Sequence, residues 1–230
     1  MFGNSKLDEE VGNVSPGDNI LLIGPPMTGK SLIVKDFFYS GLKNGGGGIY
    51  ITTKDTAGKL YQSFEEAGMD LTPYKDSFGI IDCVSRTLPI EPENSYKNVT
   101  YAASAIDMPA ISIGLNKFLR ELIKEKRIEK IQVVVESLSN LLMYSNLQTV
   151  YRFLHVFTSS TRAAEAISIY SAEEGMHSGE TIATLKQLVQ MSIELQEDGD
   201  KRMIRVVDGK RDPKWRAYDI ENGKITIKED

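Results

Sequence analysis

Four apolar residues, Ile20-Leu21-Leu22-Ile23, run directly into Gly24-Pro25-Pro26-Met27-Thr28-Gly29-Lys30-Ser31, which fits the pattern G-x-x-x-x-G-K-[ST]. An apolar strand feeding a glycine-rich turn and then a helix is the setting a phosphate-binding loop requires. Gly24 and Gly29 let successive N–H groups converge at the positive end of the helix that begins near Lys30, so a polyphosphate is held by dipoles as well as charge. The Lys30 ammonium can follow β- and γ-phosphates, and the Ser31 hydroxyl is placed to complete the octahedron of an Mg2+ ion. Gly24 to Ser31 is thus a candidate cradle for a nucleoside triphosphate. The amphipathic Leu32-Ile33-Val34-Phe37-Phe38 that follows favours this over a turn with an accidental Lys-Ser, and predicts that Phe37 and Phe38 pack against a sheet.

With 230 residues, 41% hydrophobic and 26% charged, the chain is predicted to form a single α/β domain over 1–230. Its one cysteine, Cys83, lies in an apolar run, which excludes a disulfide framework and reads as a buried small residue in a reducing compartment. No stretch approaches about 18 uninterrupted apolar residues and no signal peptide opens the chain, so the expectation is a cytoplasmic protein without membrane insertion.

A net charge of -5 argues against whole-surface attraction to nucleic acid. From Lys117 to Lys130, Glu121, Glu125 and Glu129 are interleaved with six basic residues at helical spacing, as on a solvated face. The stretch Lys201 to Arg216, which includes Trp215, is less balanced and is the best candidate for an anionic partner.

Short apolar strands alternate with amphipathic helices, as βαβ units do around a parallel sheet. Strands are predicted at Asn19 to Ile23, Ile49 to Thr52, Gly79 to Val84, Ile131 to Val135 and Ile167 to Tyr170. Helices are predicted from Lys30 to Leu42, Ala57 to Ala67, Ala110 to Lys126 and Thr149 to Ala166. The Pro-rich segment Ser85 to Pro109 reads as a surface excursion. After Tyr170 the pattern changes to short strands at Leu188 to Leu195, Met203 to Val207, Trp215 to Ile220 and Lys224 to Ile227, expected to extend one edge of the sheet as antiparallel hairpins.

Phosphate-loop enzymes hold Mg2+ with an acid at the end of a neighbouring buried strand, usually Asp. Gln132-Val133-Val134-Val135-Glu136-Ser137-Leu138 fits that role with Glu136, one methylene longer; the alternative is an acid that caps the following turn.

In these motifs the chain resembles the KaiC-like branch of the RecA ATPase superfamily, to which archaeal RadA paralogues and the archaellum protein FlaH belong. The features are Leu7-Asp8 with Ser15-Pro16-Gly17, the loop Gly24 to Ser31, Ile49 to Thr53, Val133 to Ser139, and the closing Ala217 to Lys224. The resemblance implies a three-layer RecA-like P-loop fold with a mostly parallel central sheet and C-terminal antiparallel hairpins, binding ATP with Mg2+. It also implies rings or filaments, a homo-oligomer in which a Lys/Arg pair reaches the neighbour's γ-phosphate; Lys210 and Arg211 occupy roughly that region. The alternative for this pair is an exposed basic turn.

Members of this family usually carry one or two Glu immediately after the second strand, and the resemblance implies that this carboxylate polarises the water attacking the γ-phosphate. Here Lys54-Asp55 stands instead. A protonated Lys54 cannot act as a base, and Asp55 is shorter and one position along. Where the family commonly has Gln, the chain has Tyr170-Ser171-Ala172-Glu173-Glu174, with Ser171 a weak substitute. Losing the water activator while keeping the cradle predicts slow hydrolysis with retained affinity. The expectation is a nucleotide-dependent regulatory or assembly module, engaging its own copies or a partner protein, with weak or absent ATP hydrolysis. Alternatives are a DNA-dependent ATPase supporting repair, as RadA paralogues do, and a small-molecule kinase. Glu173, Glu174 and Glu180 make the loop that recombinases use for DNA acidic, which counts against nucleic acid there. Nothing in the sequence selects adenine over guanine. His155 is expected to pack within its helix, and His177 has no neighbouring Cys or second His for zinc.

Overall fold

A strand buried on both faces reads as a near-continuous apolar run, and Ile20-Leu21-Leu22-Ile23 and Val133-Val134-Val135 meet that condition, with Gln132 a buried polar residue at the start of the latter strand. The computed structural model describes residues 1–89, 96–199, 201–221 and 223–228. In chain order the elements are α1 (Ser5–Val11), β1 (Asn19–Gly24), α2 (Lys30–Lys43), β2 (Gly47–Thr52), α3 (Ala57–Glu66), β3 (Phe78–Asp82), β4 (Val99–Tyr101), α4 (Met108–Arg120), β5 (Ile131–Glu136), α5 (Leu138–Tyr144), α6 (Leu147–Ala163), β6 (Ile167–Glu173), α7 (Gly179–Lys186), β7 (Met191–Asp198), β8 (Lys201–Val207), β9 (Arg216–Glu221) and β10 (Lys224–Ile227). The strands form one ten-stranded sheet in the order β10-β9-β8-β7-β1-β6-β5-β2-β3-β4. Pairing is parallel from β7 to β4, and β8, β9 and β10 extend the β7 edge antiparallel, as the sequence predicts.

Alternation along each strand divides the interior into two cores. Ile20, Leu22, Tyr50, Ile80, Val134 and Ile169 face Leu7, Phe37, Phe38 and Phe64 on one side. Leu21, Ile49, Ile51, Ile81, Val133 and Val135 face Leu115, Phe118, Leu141, Leu154 and Leu185 on the other. This period of two produces the three layers. Phe38 meets Tyr50, Phe64 and Phe78 at ring-centroid distances of 5.2, 5.7 and 5.8 Å, so the aromatic pair does pack on the sheet.

Several elements differ from the sequence reading. The segment after Ser85 is not wholly an excursion: β4 pairs parallel with β3, Val99 opposite Ile80, but three residues are too few to show a period. Helices α1, α5 and α7 have 7, 7 and 8 residues, again too short for their periodicity to stand out. Because Gly179–Lys186 is helical, β7 begins at Met191 rather than Leu188. Helix α4 ends at Arg120 and continues as a π-helical turn, Glu121–Glu125. His155 is exposed: α6 turns Val150, Leu154 and Phe157 inward and leaves His155 outside beside Tyr151. Among the described residues, no helix is long and apolar enough to cross a membrane.

The basic stretch from Lys201 to Arg216 engages its own fold extensively. Arg205 pairs with Glu194 at 2.7 Å and lies 4.5 Å from the Trp215 ring centroid, and Arg211 pairs with Asp208 at 3.1 Å.

Asp82, wholly buried at the end of β3, accepts from the N–H groups of Ala57, Val84 and Ser85 at 2.7, 2.8 and 2.8 Å and from the Ser85 hydroxyl at 2.6 Å. It fixes the start of α3 and the turn after β3 together. Asp82→Ala strands these donors and should lower the unfolding free energy by about 3 kcal/mol, measured by urea unfolding. A loss below about 1 kcal/mol would show that the donors find other partners.

Candidate functional site

The strand order brings the carboxyl ends of β1, β6, β5 and β2 side by side, with Gly24 opposite Glu173 and Thr52 opposite Glu136. Ligands of open α/β sheets bind at such an edge, and the phosphate loop leaves β1 there.

Close packing requires both glycines of the motif. A Cβ on Gly24 would stand 2.7 Å from Leu195 Cβ and 3.0 Å from its carbonyl oxygen. Gly29 has φ +87° and would meet Ile220 Cδ1 at 2.9 Å. The loop is therefore seated directly on β7 and the β9–β10 hairpin. Tyr218 donates its hydroxyl to the Thr28 carbonyl at 2.5 Å, while the Thr28 hydroxyl donates to the Pro25 carbonyl at 2.7 Å. Met27, at φ 64° and 85% exposed, forms the tip. Pro25 and Pro26 have no N–H, so the donors the loop can offer begin at Met27. Helix α2 starts at Lys30 without a side-chain cap, which leaves its first N–H groups available to an anion.

Lys30 and Ser31 face different partners. Lys30 Nζ donates to the carbonyls of Gly24 and Pro25 at 2.9 and 2.5 Å and stands 2.8 Å from Glu173 Oε2. Ser31 Oγ donates to Glu136 Oε1 at 2.6 Å. The other oxygen, Glu136 Oε2, accepts from the hydroxyl of Tyr50, which is fully buried on β2. Burial, and then the neighbouring Glu136 charge, hold the Tyr50 phenol well above its usual pKa, so Tyr50 remains a donor. Two hydroxyls thus hold Glu136 beside the start of α2, and the capping role weighed for this acid falls instead to Ser137, which caps α5.

The ends of β2 and β5 are joined. Thr53 Oγ1 donates to the Ser137 carbonyl at 2.9 Å, Ser137 N–H donates to Thr53 Oγ1 at 2.7 Å, and Asn140 Nδ2 donates to the Thr53 carbonyl at 2.6 Å. Beyond this junction Lys54 and Asp55 part. Lys54 is exposed and lines a cleft of about 540 Å³ with Cys83, Asn140 and Tyr144. Asp55 is partly buried, and its charge acts with that of Glu136 on Lys35 and Tyr50. Burial lowers the Lys35 pKa, against the pull of these two carboxylates. Burial likewise pushes the Cys83 thiol up to about 12, so it is no nucleophile near neutral pH.

The loop between β8 and β9 carries Lys210 and Arg211. Strand directions place it at the end of the sheet opposite the phosphate loop. Both residues are exposed; Arg211 is anchored on Asp208 and on the Val11 carbonyl, at 3.1 and 2.9 Å. The sequence reading missed Tyr50 and Glu173. Both sit in strands: Tyr50 reads as a core aromatic, and Glu173 lies three residues past the predicted end of β6. Ser171 lies inside β6, opposite Leu22, and Glu173 takes the strand end. His177 Nε2 is 2.9 Å from Ser139 Oγ, and burial lowers its pKa.

A glycine-rich loop between strand and helix, with an acid on the next strand but one, defines a P-loop nucleotide-binding protein of the RecA type. The family model for the KaiC ATPases matches residues 3–230, and the chain belongs to that family. A UPF0273 protein of Saccharolobus solfataricus is 32% identical over 138 residues, 59% of this chain and 46% of that protein. Another, from Pyrobaculum aerophilum, is 35% identical over 79 residues, 33% of this chain and 28% of that protein. The matched stretches thus cover less than half of each of these archaeal relatives. The crystal structure of a KaiC-like protein from Pyrococcus horikoshii superposes on 100% of this chain and 98% of its own, with a TM-score of 0.72 and 17% identity, a likeness of fold.

Tyr50→Phe leaves Glu136 Oε2 without its buried donor. It should cost about 1–2 kcal/mol in urea unfolding without nucleotide and raise the Mg2+ concentration at which nucleotide binding is half-maximal. An unchanged Mg2+ midpoint would show that Tyr50 does not position Glu136.

Proposed function

We propose that this chain binds ATP with Mg2+ and acts in the cytoplasm as a nucleotide-dependent regulatory or assembly module whose hydrolysis is weak or absent. The supporting observation is the site's division of labour. The loop, Lys30, Ser31 and Glu136 are together at one strand edge, while an exposed lysine stands where the family carries its water-activating Glu.

The residues present suit Mg2+. Ser31 Oγ and Glu136 Oε1 are oxygen donors 2.6 Å apart at the start of α2, the hard donor chemistry this ion prefers. Ser31 would hold it directly and Glu136 directly or through water. When bound, the ion offsets charge on the phosphate oxygens. The chain's own groups do the rest. Main-chain N–H groups from Met27 onward and Lys30 grip the phosphates, and Tyr50 orients Glu136. Asp55, on the Glu136 side of the β2 end, is the acid available to a water, whereas Lys54 lies in the outer cleft.

Assembly follows from the position of Lys210 and Arg211. Lying at the far end of the sheet, they can serve a nucleotide only on a neighbouring copy, and Lys210 is the better placed of the two because the Arg211 guanidinium is engaged by Asp208 and the Val11 carbonyl. A positive charge supplied in trans would couple subunit contact to the nucleotide state.

Equilibrium titration of ATP with Mg2+ should show saturable binding that Lys30→Ala weakens by at least about tenfold. Steady-state phosphate release should be slow, and nucleotide should shift the sedimentation profile. Absence of binding would overturn the nucleotide role. Brisk phosphate release abolished by Asp55→Ala would overturn weak hydrolysis and make Asp55 the base.

A further inference from the structure

The P-loop lysine already has an internal anion. Lys30 is 7% exposed in its side chain and Glu173 25%, and their charged atoms are 2.8 Å apart. An ammonium group has three N–H donors. Two sides of Lys30 meet the Gly24 and Pro25 carbonyls, and Glu173 occupies a third as an ion pair, with no hydrogen-bond donor aligned on its Oε2. The arrangement resembles what a phosphate oxygen would make.

We propose that Glu173 competes with the terminal phosphate for Lys30, and so sets both nucleotide affinity and the preference between triphosphate and diphosphate. The inference rests on the reading of Gly24 to Ser31 as a phosphate cradle. Glu173 cannot retreat with its backbone: it pairs with Gly24 across β1 and β6, and its N–H donates to Ser139 Oγ at 2.9 Å. The next residue, Glu174, donates its N–H to the Gly24 carbonyl at 2.9 Å. Only the side chain can swing, toward the solvent that already reaches it. Nucleotide must therefore draw Lys30 out of the pair, and apparent affinity falls with the fraction of molecules in which the lysine is available. Once a triphosphate is seated, the Glu173 carboxylate faces its last phosphate with like charge, in a site less screened than water. A diphosphate lacks that group and is opposed less.

Glu173→Gln keeps the shape and removes the charge. Calorimetric titration with Mg2+ present should show ATP binding tightened by about tenfold in the variant, and ADP by clearly less. Glu173→Asp, whose carboxylate is withdrawn by one methylene, should fall between wild type and Glu173→Gln, and it carries the test if the glutamine variant melts early. Equal affinities in wild type and both variants, weaker binding in Glu173→Gln, or identical gains for ATP and ADP would overturn the role given to Glu173. Failure of both wild type and Glu173→Gln to take up any nucleotide would overturn the cradle itself.

Discussion

The parallel pairing of β6 with both β1 and β5 is the constraint on which the site rests. By lying between the loop-bearing strand and the strand that ends in Glu136, β6 sets their separation, and Ser31 on the first turn of α2 spans it to reach the carboxylate at 2.6 Å. The same insertion delivers Glu173 opposite Gly24. A sheet buried on both faces leaves its strand ends as the place where polar groups can gather at a lower desolvation cost than within the sheet. The charged groups of this site lie there or on the first turns of α2.

Much of this arrangement was legible in the sequence, for reasons particular to each part. The phosphate loop could be read because two glycines, a lysine and a serine at fixed spacing express a single backbone requirement. Glu136 could be read because an acid ending a β-branched run has no core to join. The three layers followed from uninterrupted apolar runs between amphipathic helices. Illegible were the relations that only register creates. Tyr50 is indistinguishable from any core aromatic until β2 pairs with β5 and sets its hydroxyl against Glu136. Glu173 follows Ser171 and Ala172, small residues that break the apolar pattern although the strand continues through them. Helices α1, α5 and α7 were lost for a simpler reason, since about two turns hold too few apolar positions to define a face.

Two residues within this frame shape its electrostatics in opposite senses. Lys54 places a cation just past the end of β2, where it lines the outer cleft with Asn140 and Tyr144. Glu173 places an anion directly on the lysine of the loop. Under the proposed function, chemistry that needs a base and a receptive cation at the γ-phosphate is thereby weakened at both ends, while the main-chain donors and the Ser31–Glu136 pair are untouched. Gripping and cleaving a nucleotide draw on different residues, so a sequence can drift in one without losing the other.

The seating of the loop on β9 and β10 ties two segments far apart in sequence to one another. Ile220 and Ile225 fill the space beside Gly29, and the Tyr218 hydroxyl holds the Thr28 carbonyl. The closing hairpin thus acts as a mould in which the anion-gripping curve is cast. The loop's curvature is therefore set by side chains almost two hundred residues further along the sequence, so a change at Tyr218, Ile220 or Ile225 reaches the anion-gripping turn without touching its motif.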